Sequence, residues 1–216
     1  MRRVLIVGAG GHGQVVADIL LACMRRGATD VPIGFVDDAS HLVGATVLAL
    51  PVLGAVDQLP RVACDAAIVA VGDNRIRSRL FVLMREWGVQ LVNAVHPAAT
   101  VAADVGVGVG VVICAGAVVG TGSLIGDGVI LNTACSVDHH NRIGAFAHIA
   151  PGSHLGGGVT VGEGALVGIG SAVMPGQSIG SWAVVGAGSV VIKEVLPGAS
   201  VAGTPARPIG PRARKT

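Results

Sequence analysis

Two hydrophobic periodicities divide the chain at about residue 94. Before that point, short apolar runs alternate with stretches of helical periodicity. Strands alternating with helices predict a small parallel, Rossmann-like α/β domain over residues 1–94. The predicted strands are RVLIVG, PIGFVD and DAAIVAVG, with LVNAV closing the unit, and the predicted helices cover residues 12–26 and 74–87.

From residue 95 onward the apolar positions recur every six residues. Each sixth residue from Val95 to Val191 is Val, Ile or Leu, without a slip. Four places later the side chain is small or β-branched at all positions except Asn141 and Gln177, and the residue directly after the aliphatic is most often Gly. This is the hexapeptide pattern of a parallel β-helix, in which three hexads close one triangular coil and stacked coils bury the aliphatics. The sequence predicts such a β-helix over residues 95–216, packed tightly on the first domain.

Composition narrows the function classes. Of 216 residues, 51% are hydrophobic and 13% charged, but the apolar stretch 42–56 contains Pro51 and 105–126 is a glycine alternation, so no membrane span is predicted. The net charge of +2 predicts no nucleic-acid partner, because the basic excess is confined to the tail PARPIGPRARKT. Four irregularly spaced cysteines favour a reducing compartment over a disulfide frame, and the N-terminus has no cleavage pattern. We therefore expect a cytoplasmic protein.

Two adjacent hexads, LNTACS and VDHHNR, lack glycine and concentrate polar side chains. Asp138 follows the inward aliphatic directly, and His139 and His140 come next, off the inward phase. His148 and His154 are off phase as well. Solvated surface histidines are one interpretation, but clustering where the repeat otherwise avoids polar residues favours a functional site. Near neutral pH, an imidazole is suited to accept a proton from an attacking amine or hydroxyl group.

The repeat resembles the hexapeptide acyltransferases, which form left-handed β-helices and are typically trimers with acyl-CoA between subunits. A longer pattern resembles the bacterial nucleotide-sugar acetyltransferases, which acetylate amino sugars such as GDP-perosamine or UDP-4-amino-4,6-dideoxy sugars. Sialic-acid O-acetyltransferases share much of it. The resemblance implies acetyl-CoA as co-substrate, no metal, a homotrimer and a role in lipopolysaccharide O-antigen biosynthesis. The matching segments are GAGGHGQVVADIL, GFVDD, VGDNRIR, SVDHHNRIGAFAHIAPG and GTPAR.

The resemblance also implies a role for the polar hexad. His139 takes the place of the general base, with His140 and Asp138 beside it as catalytic candidates. The family usually has Asp or Glu directly after the catalytic histidine, where this chain has His140. Three possibilities follow: Asp138 orients the base, His140 does so as a neutral acceptor, or the base acts unassisted. No Ser-His or Cys-His signature is evident, which favours direct attack on the thioester.

By the same resemblance, acetyl-CoA is expected against the β-helix. A histidine in FAHIAPG matches one near the thioester, a glycine in HLGGG matches a backbone donor to its carbonyl, and GTPAR with the basic tail matches the segment along the CoA phosphates. The predicted acetyl-CoA residues are His148, Gly157, Ile169, Gly170 and Arg207.

The loop GAGGHG fits G-x-G-x-x-G at Gly8, Gly10 and Gly13, after a strand and before a helix. This is the context of dinucleotide binding, so NAD is a possible ligand. The domain has only about half the strands of a dinucleotide fold, which suits a mononucleotide. In the resembled family this loop and the following acids hold the nucleotide sugar, although Asp38 is equally consistent with a solvated strand end. The predicted substrate residues are Gly10, Gly11, His12, Gly13, Asp37, Asp38 and Asn74.

These patterns predict an N-acetyltransferase for a nucleotide-linked amino sugar. O-acetylation of a sugar hydroxyl is the nearest alternative, and the absent acid neighbour of His139 favours an amine. A non-catalytic nucleotide-binding scaffold and an NAD-linked oxidoreductase fit less well, since the polar hexads are present and no second catalytic domain follows. A zinc-dependent β-helix carbonic anhydrase would need a histidine pair five apart, whereas the nearest spacings here are one, six, eight and nine.

Overall fold

In a computed structural model that describes residues 1–210, the N-terminal part is a three-stranded parallel sheet flanked by helices. In this sheet Arg2–Val7 is the central strand, between Asp30–Val36 and Ala66–Val69, which confirms the predicted parallel α/β unit. An antiparallel hairpin and two short 3-10 helices, at residues 40–42 and 56–61, were not predicted. The elements are β1 (Arg2–Val7), α1 (Gly11–Met24), β2 (Asp30–Val36), β3 (Thr46–Val47), β4 (Leu50–Pro51), β5 (Ala66–Val69) and α2 (Asn74–Glu86).

The second part is a β-helix of about six turns, of the left-handed type, as the hexad pattern and the resemblance predict. Val119 pairs in parallel with Val137, which pairs with Leu155, so three hexads complete one coil. Strands of two residues, and one of three at Ser200–Ala202, form three faces of six, five and eight strands. The strands are β6 (Ala94–Val95), β7 (Thr100–Val101), β8 (Gly106–Val107), β9 (Val112–Ile113), β10 (Val118–Val119), β11 (Leu124–Ile125), β12 (Ile130–Leu131), β13 (Ser136–Val137), β14 (Arg142–Ile143), β15 (His148–Ile149), β16 (His154–Leu155), β17 (Thr160–Val161), β18 (Leu166–Val167), β19 (Ala172–Val173), β20 (Ser178–Ile179), β21 (Val184–Val185), β22 (Val190–Val191), β23 (Ser200–Ala202) and β24 (Arg207–Pro208).

From Gly110 to Gly188, each corner of the coil places one residue in the left-handed backbone region. Glycine occupies most of these positions because a Cβ there costs about 1–2 kcal/mol. His140, with φ of 58°, stands in the column that Gly122 and Gly158 occupy in the coils on either side. The histidine therefore takes a backbone position that the repeat otherwise reserves mainly for glycine.

One of the hydrophobic clusters contains residues from both parts of the chain. Ile19 and Leu20 of α1 are buried in the same cluster as Val112 and Ile130 on the outer face of the β-helix. The predicted division after residue 94 falls within β6, the first strand of the coil. No helix within residues 1–210 is long and apolar enough to cross a membrane.

A buried arginine of α2 also joins the two parts. The Arg77 side chain is fully buried and donates from Nε to the Gly128 carbonyl at 2.7 Å and from Nη2 to the Phe146 carbonyl at 2.6 Å, both in the β-helix. It donates from Nη1 to the Val71 and Gly72 carbonyls in the α/β domain at 3.0 and 3.3 Å. Burial lowers the pKa of Arg77 to about 10, so the guanidinium remains charged at neutral pH.

Candidate active site

An imidazole pair projects from the corner between β13 and β14. Asp138, His139 and His140 are all exposed, so these histidines lie outside the coil, as their phase predicts. The two Nδ1 atoms of His139 and His140 are 3.0 Å apart, a hydrogen bond in which one ring donates and the other accepts. The pair thus links two candidate catalytic groups directly.

Neighbouring backbone fixes the first ring of this pair. The His139 ring lies against Gly157 in the next coil, and a Cβ on that glycine would overlap the ring atoms. The Asp138 carboxylate accepts the His139 backbone N–H at 2.7 Å. Asn141 is fully buried and donates to the Asp138 carbonyl at 2.6 Å, which closes the corner. Gly157 is therefore positioned to support the imidazole, and its side-chain space is already taken.

A cavity of about 720 Å³ lies on another face, between the start of α2 and the eight-stranded sheet. Its lining includes His148, Asn132 and Ile169, and His148 Nε2 is 3.0 Å from Asn132 Nδ2. Exposed Gly170 follows Ile169 at the next corner. Exposed Arg207 lies on β24, antiparallel to β23. Of the predicted acetyl-CoA residues, His148 and Ile169 line this cavity, while Gly157 lies beside His139 instead.

Two histidine rings lie close to each other at the wall of the cavity. The ring centroids of His12, from the glycine-rich loop, and His148 are 6.5 Å apart. Burial, with a smaller contribution from Arg77, lowers the pKa of His12 to about 4 and that of His148 to about 3. His12 Nε2 is buried and bonds to no other group in the described part of the chain. Both rings are neutral at physiological pH.

We expect these neutral histidines to make the fold sensitive to acid. In the unfolded chain an imidazole takes up a proton near pH 6.5, but folded His148 does so only near pH 3, so its stabilising contribution is present above pH 6.5 and is lost as the pH falls. Replacing His148→Gln should reduce the loss of unfolding free energy between pH 7.5 and pH 5 by about 2 kcal/mol. Urea unfolding at the two pH values measures this.

Exposed His154, one hexad further on, provides the matched control through His154→Gln. Equal losses of unfolding free energy in wild type and His148→Gln would contradict the prediction.

The glycine-rich loop turns tightly and packs on the start of α1. Gly8 has a φ of 107°, and Gly13 packs directly on its carbonyl, so a side chain at Gly13 would clash with the backbone. Exposed Gly10 and Gly11 begin α1 and leave the space around them open. The loop thus combines a tight turn with an accessible helix N-terminus.

The acids after β2 and the amide that begins α2 also have partners within the chain. Asp37 accepts the Ala9 N–H at 2.7 Å and thereby fixes the loop. Asp38 accepts the Val56 N–H at 2.9 Å. Asn74 accepts from Arg77 at 2.8 Å and donates to the Gly164 carbonyl at 3.0 Å, so it holds α2 on the β-helix at the cavity wall.

Sequence reasoning missed several residues around these sites. Arg75 lies 4.5 Å from the ring centroid of Trp182, and both line the cavity. Trp182 has a φ of 59°, so its place in the glycine column was a signal of the same kind as His140. Asp104, near His140, and buried Arg77 carried no comparable signal. Within residues 1–210 no group of three or more His, Cys, Asp or Glu side chains is placed to hold a metal ion.

The candidate residues form two groups on different faces. His139 lies between the six- and five-stranded sheets, whereas the cavity with His148 lies on the eight-stranded sheet. The structure brings the glycine-rich loop close to the cavity through His12. It does not bring His139 to that cavity within one chain.

Comparisons with known proteins match both parts of the chain. Residues 3–83 match the PglD N-terminal domain. A UDP-N-acetylbacillosamine N-acetyltransferase of Bacillus subtilis is 36% identical over 116 residues, which are 53% of this chain and only 52% of that relative. That curated match therefore spans about half of either protein.

Solved structures match over nearly the full length. PerB of Caulobacter crescentus, in complex with CoA and GDP-perosamine, is 41% identical with a TM-score of 0.90, covering 96% of this chain and 97% of that one. The acetyltransferase domain of PglB from Neisseria gonorrhoeae is 38% identical with a TM-score of 0.89, covering 97% and 100%. With these matches and the two-part fold, the chain belongs to the β-helix N-acetyltransferases of nucleotide-linked amino sugars.

Proposed function

We propose that the protein transfers acetyl from acetyl-CoA to the amino group of a nucleotide-linked amino sugar of the GDP-perosamine or UDP-4-amino-4,6-dideoxysugar type. The full-length similarity to PerB, whose structure contains CoA and GDP-perosamine, carries this proposal. Residues 1–94 hold the nucleotide through Gly10, Gly11 and the adjoining loop, and residues 95–216 hold acetyl-CoA. Residues 211–216 of the basic tail lie outside the described part of the chain.

In this mechanism the sugar amine attacks the thioester carbonyl directly. His139 takes the amine proton through Nε2 and returns it to the departing CoA thiolate, which leaves an amide and free CoA. Backbone N–H groups of the glycine-rich corners stabilise the developing oxyanion. A cysteine acyl-enzyme is disfavoured, because burial raises the pKa of all four thiols, that of Cys114 to about 11 and that of Cys135 to about 12.

Within one chain, His139 and the cavity with His148 lie on different faces. This separation supports an active site shared between two chains. A second copy whose eight-stranded face met the corner bearing His139 would bring the base to the cavity with His148. We therefore propose a homotrimer with active sites between neighbouring copies. Acetyl-CoA as co-substrate and four unpaired cysteines, Cys23, Cys64, Cys114 and Cys135, are consistent with a cytoplasmic enzyme.

A thiol-release assay with acetyl-CoA tests the function. The panel contains GDP- and UDP-linked 4-amino-4,6-dideoxy sugars, each paired with its 4-hydroxy counterpart. We expect CoA release that depends on the amine, with one nucleotide preferred, and an acetamido product by mass spectrometry. Release only with the hydroxyl sugars would favour O-acetylation, and release with none of them would contradict the proposal.

A further inference from the structure

The corner column that contains His140 places an acid two coils earlier. Asp104 accepts the Thr121 hydroxyl at 2.6 Å and the Gly122 N–H at 3.0 Å, both through Oδ2. The His140 ring lies over Gly122: a Cβ built on that glycine would be 2.7 Å from Cδ2 of the ring and 3.0 Å from Nε2. The carboxylate thus binds the glycine amide that lies beneath the Nε2 edge of the imidazole.

Electrostatics agree with this placement. The pKa of the Asp104 carboxyl lies below its usual value, mainly because Thr121 donates to it, with a smaller contribution from the Gly122 N–H. Asp138 is the other acid of the corner, and its carboxylate accepts the His139 backbone N–H. Asp104 is therefore the acid that binds the glycine beneath the second ring of the pair.

The contact between the two rings restricts their tautomers. When His139 accepts a proton through Nε2, its neutral form carries hydrogen on Nδ1. That hydrogen can be donated only if Nδ1 of His140, 3.0 Å away, is an acceptor. Neutral His140 then carries its own hydrogen on Nε2, the edge that lies over Gly122 near Asp104.

We infer that Asp104 is a positioning residue for the base: it favours the Nε2–H form of His140, which orients His139 with its Nε2 free. This inference rests on the proposed role of His139. It supplies, through a second imidazole, the acid that the family usually has directly after the catalytic histidine. A carboxylate that orients a catalytic imidazole and stabilises its protonated form follows the logic of the serine-protease triad.

Asp104→Asn tests the inference, because a carboxamide oxygen can still accept from Thr121 and Gly122. We expect kcat to fall about tenfold with KM unchanged. This is the scale typical of a residue that orients a functional side chain without touching the substrate. Asp127→Asn is the matched control, since Asp127 caps the Val109 N–H at 2.9 Å at another corner. Wild-type kcat in Asp104→Asn would overturn the inference, whereas absence of CoA release by the wild type would instead refute the proposed function.

A double-mutant cycle separates positioning from a structural effect. His140→Gly removes the second ring at a position where neighbouring coils already have glycine, so the backbone is not strained. If Asp104 acts through His140, adding Asp104→Asn to His140→Gly should leave kcat unchanged. Additive losses would overturn the inference.

Imidazole ¹⁵N NMR provides a readout that needs no turnover. We expect the Nδ1–H form for His139 and the Nε2–H form for His140 in the wild type, with the preference lost in Asp104→Asn. His139 found in its Nε2–H form would overturn the inference even if both variants were catalytically impaired.

Discussion

We expect kcat to fall about 10²–10⁴-fold when His139 is replaced by alanine, which is the range a general base contributes. His139 is exposed on the outside of the coil, so its replacement removes no packing from the core. Its ring rests on Gly157, and alanine leaves that surface open without creating an internal cavity. The loss should therefore appear in kcat, with the free energy of unfolding close to that of the wild type.

The measurement is CoA release at saturating sugar nucleotide, together with sedimentation velocity. His41→Ala, at an exposed 3-10 turn of the α/β domain, is the matched control and should retain wild-type turnover. Both variants should sediment at three times the 21.4 kDa chain mass if the trimer proposal is correct. A His139→Ala enzyme with near-normal turnover would move the base to another group, first of all to His140.

Replacing Arg77 with methionine should destabilise the protein by about 3–5 kcal/mol, because its short hydrogen bonds to the Gly128 and Phe146 carbonyls come from a charged donor and contribute about 1.5–3 kcal/mol each. The Gly128 and Phe146 carbonyls on the β-helix and the Val71 and Gly72 carbonyls on the α/β domain would lose their donor. The Gly128 carbonyl is buried, and a buried acceptor without a donor costs about 1–3 kcal/mol, which the apolar surface of methionine does not offset.

Thermal and urea unfolding of Arg77→Met measure this loss, with a decrease in Tm of about 10 °C expected. Arg79→Met is the control, because Arg79 lies exposed on the same helix. If the two variants are equally stable, Arg77 does not stabilise the contact between the α/β domain and the β-helix.

The sequence predicted the repeat well because its rule is local: an aliphatic residue at every sixth position needs no knowledge of distant partners. The histidine pair was equally visible, since His139 and His140 interrupt a glycine-rich rule. Asp104 was not, because an aspartate at an exposed corner is unremarkable until the coil register places it in the same column as His140.

Other features depend on tertiary packing. An arginine is expected to be solvated, yet Arg77 shares the helical phase of buried Phe81 and Met84, and the β-helix carbonyls bury it completely. The β3–β4 hairpin was missed because only two residues of each strand pair, around Pro51, too few for an alternating pattern. The cavity cannot be predicted from either part alone, since α2 and the eight-stranded sheet form its walls together.

The strand register of the coil repeats once per complete turn. Val119 pairs with Val137 and Val137 with Leu155, so one complete turn returns the chain to the same face. One hexad gained or lost within the coil would move every later hexad to the next face. The His139 and His140 corner would then no longer lie between Gly122 and Gly157. A whole turn added between Asp104 and His140 would preserve every strand pairing, yet it would lift the acid out of reach. The coil can therefore gain whole turns above or below the segment from Asp104 to His140 without separating these two residues, but not within that segment.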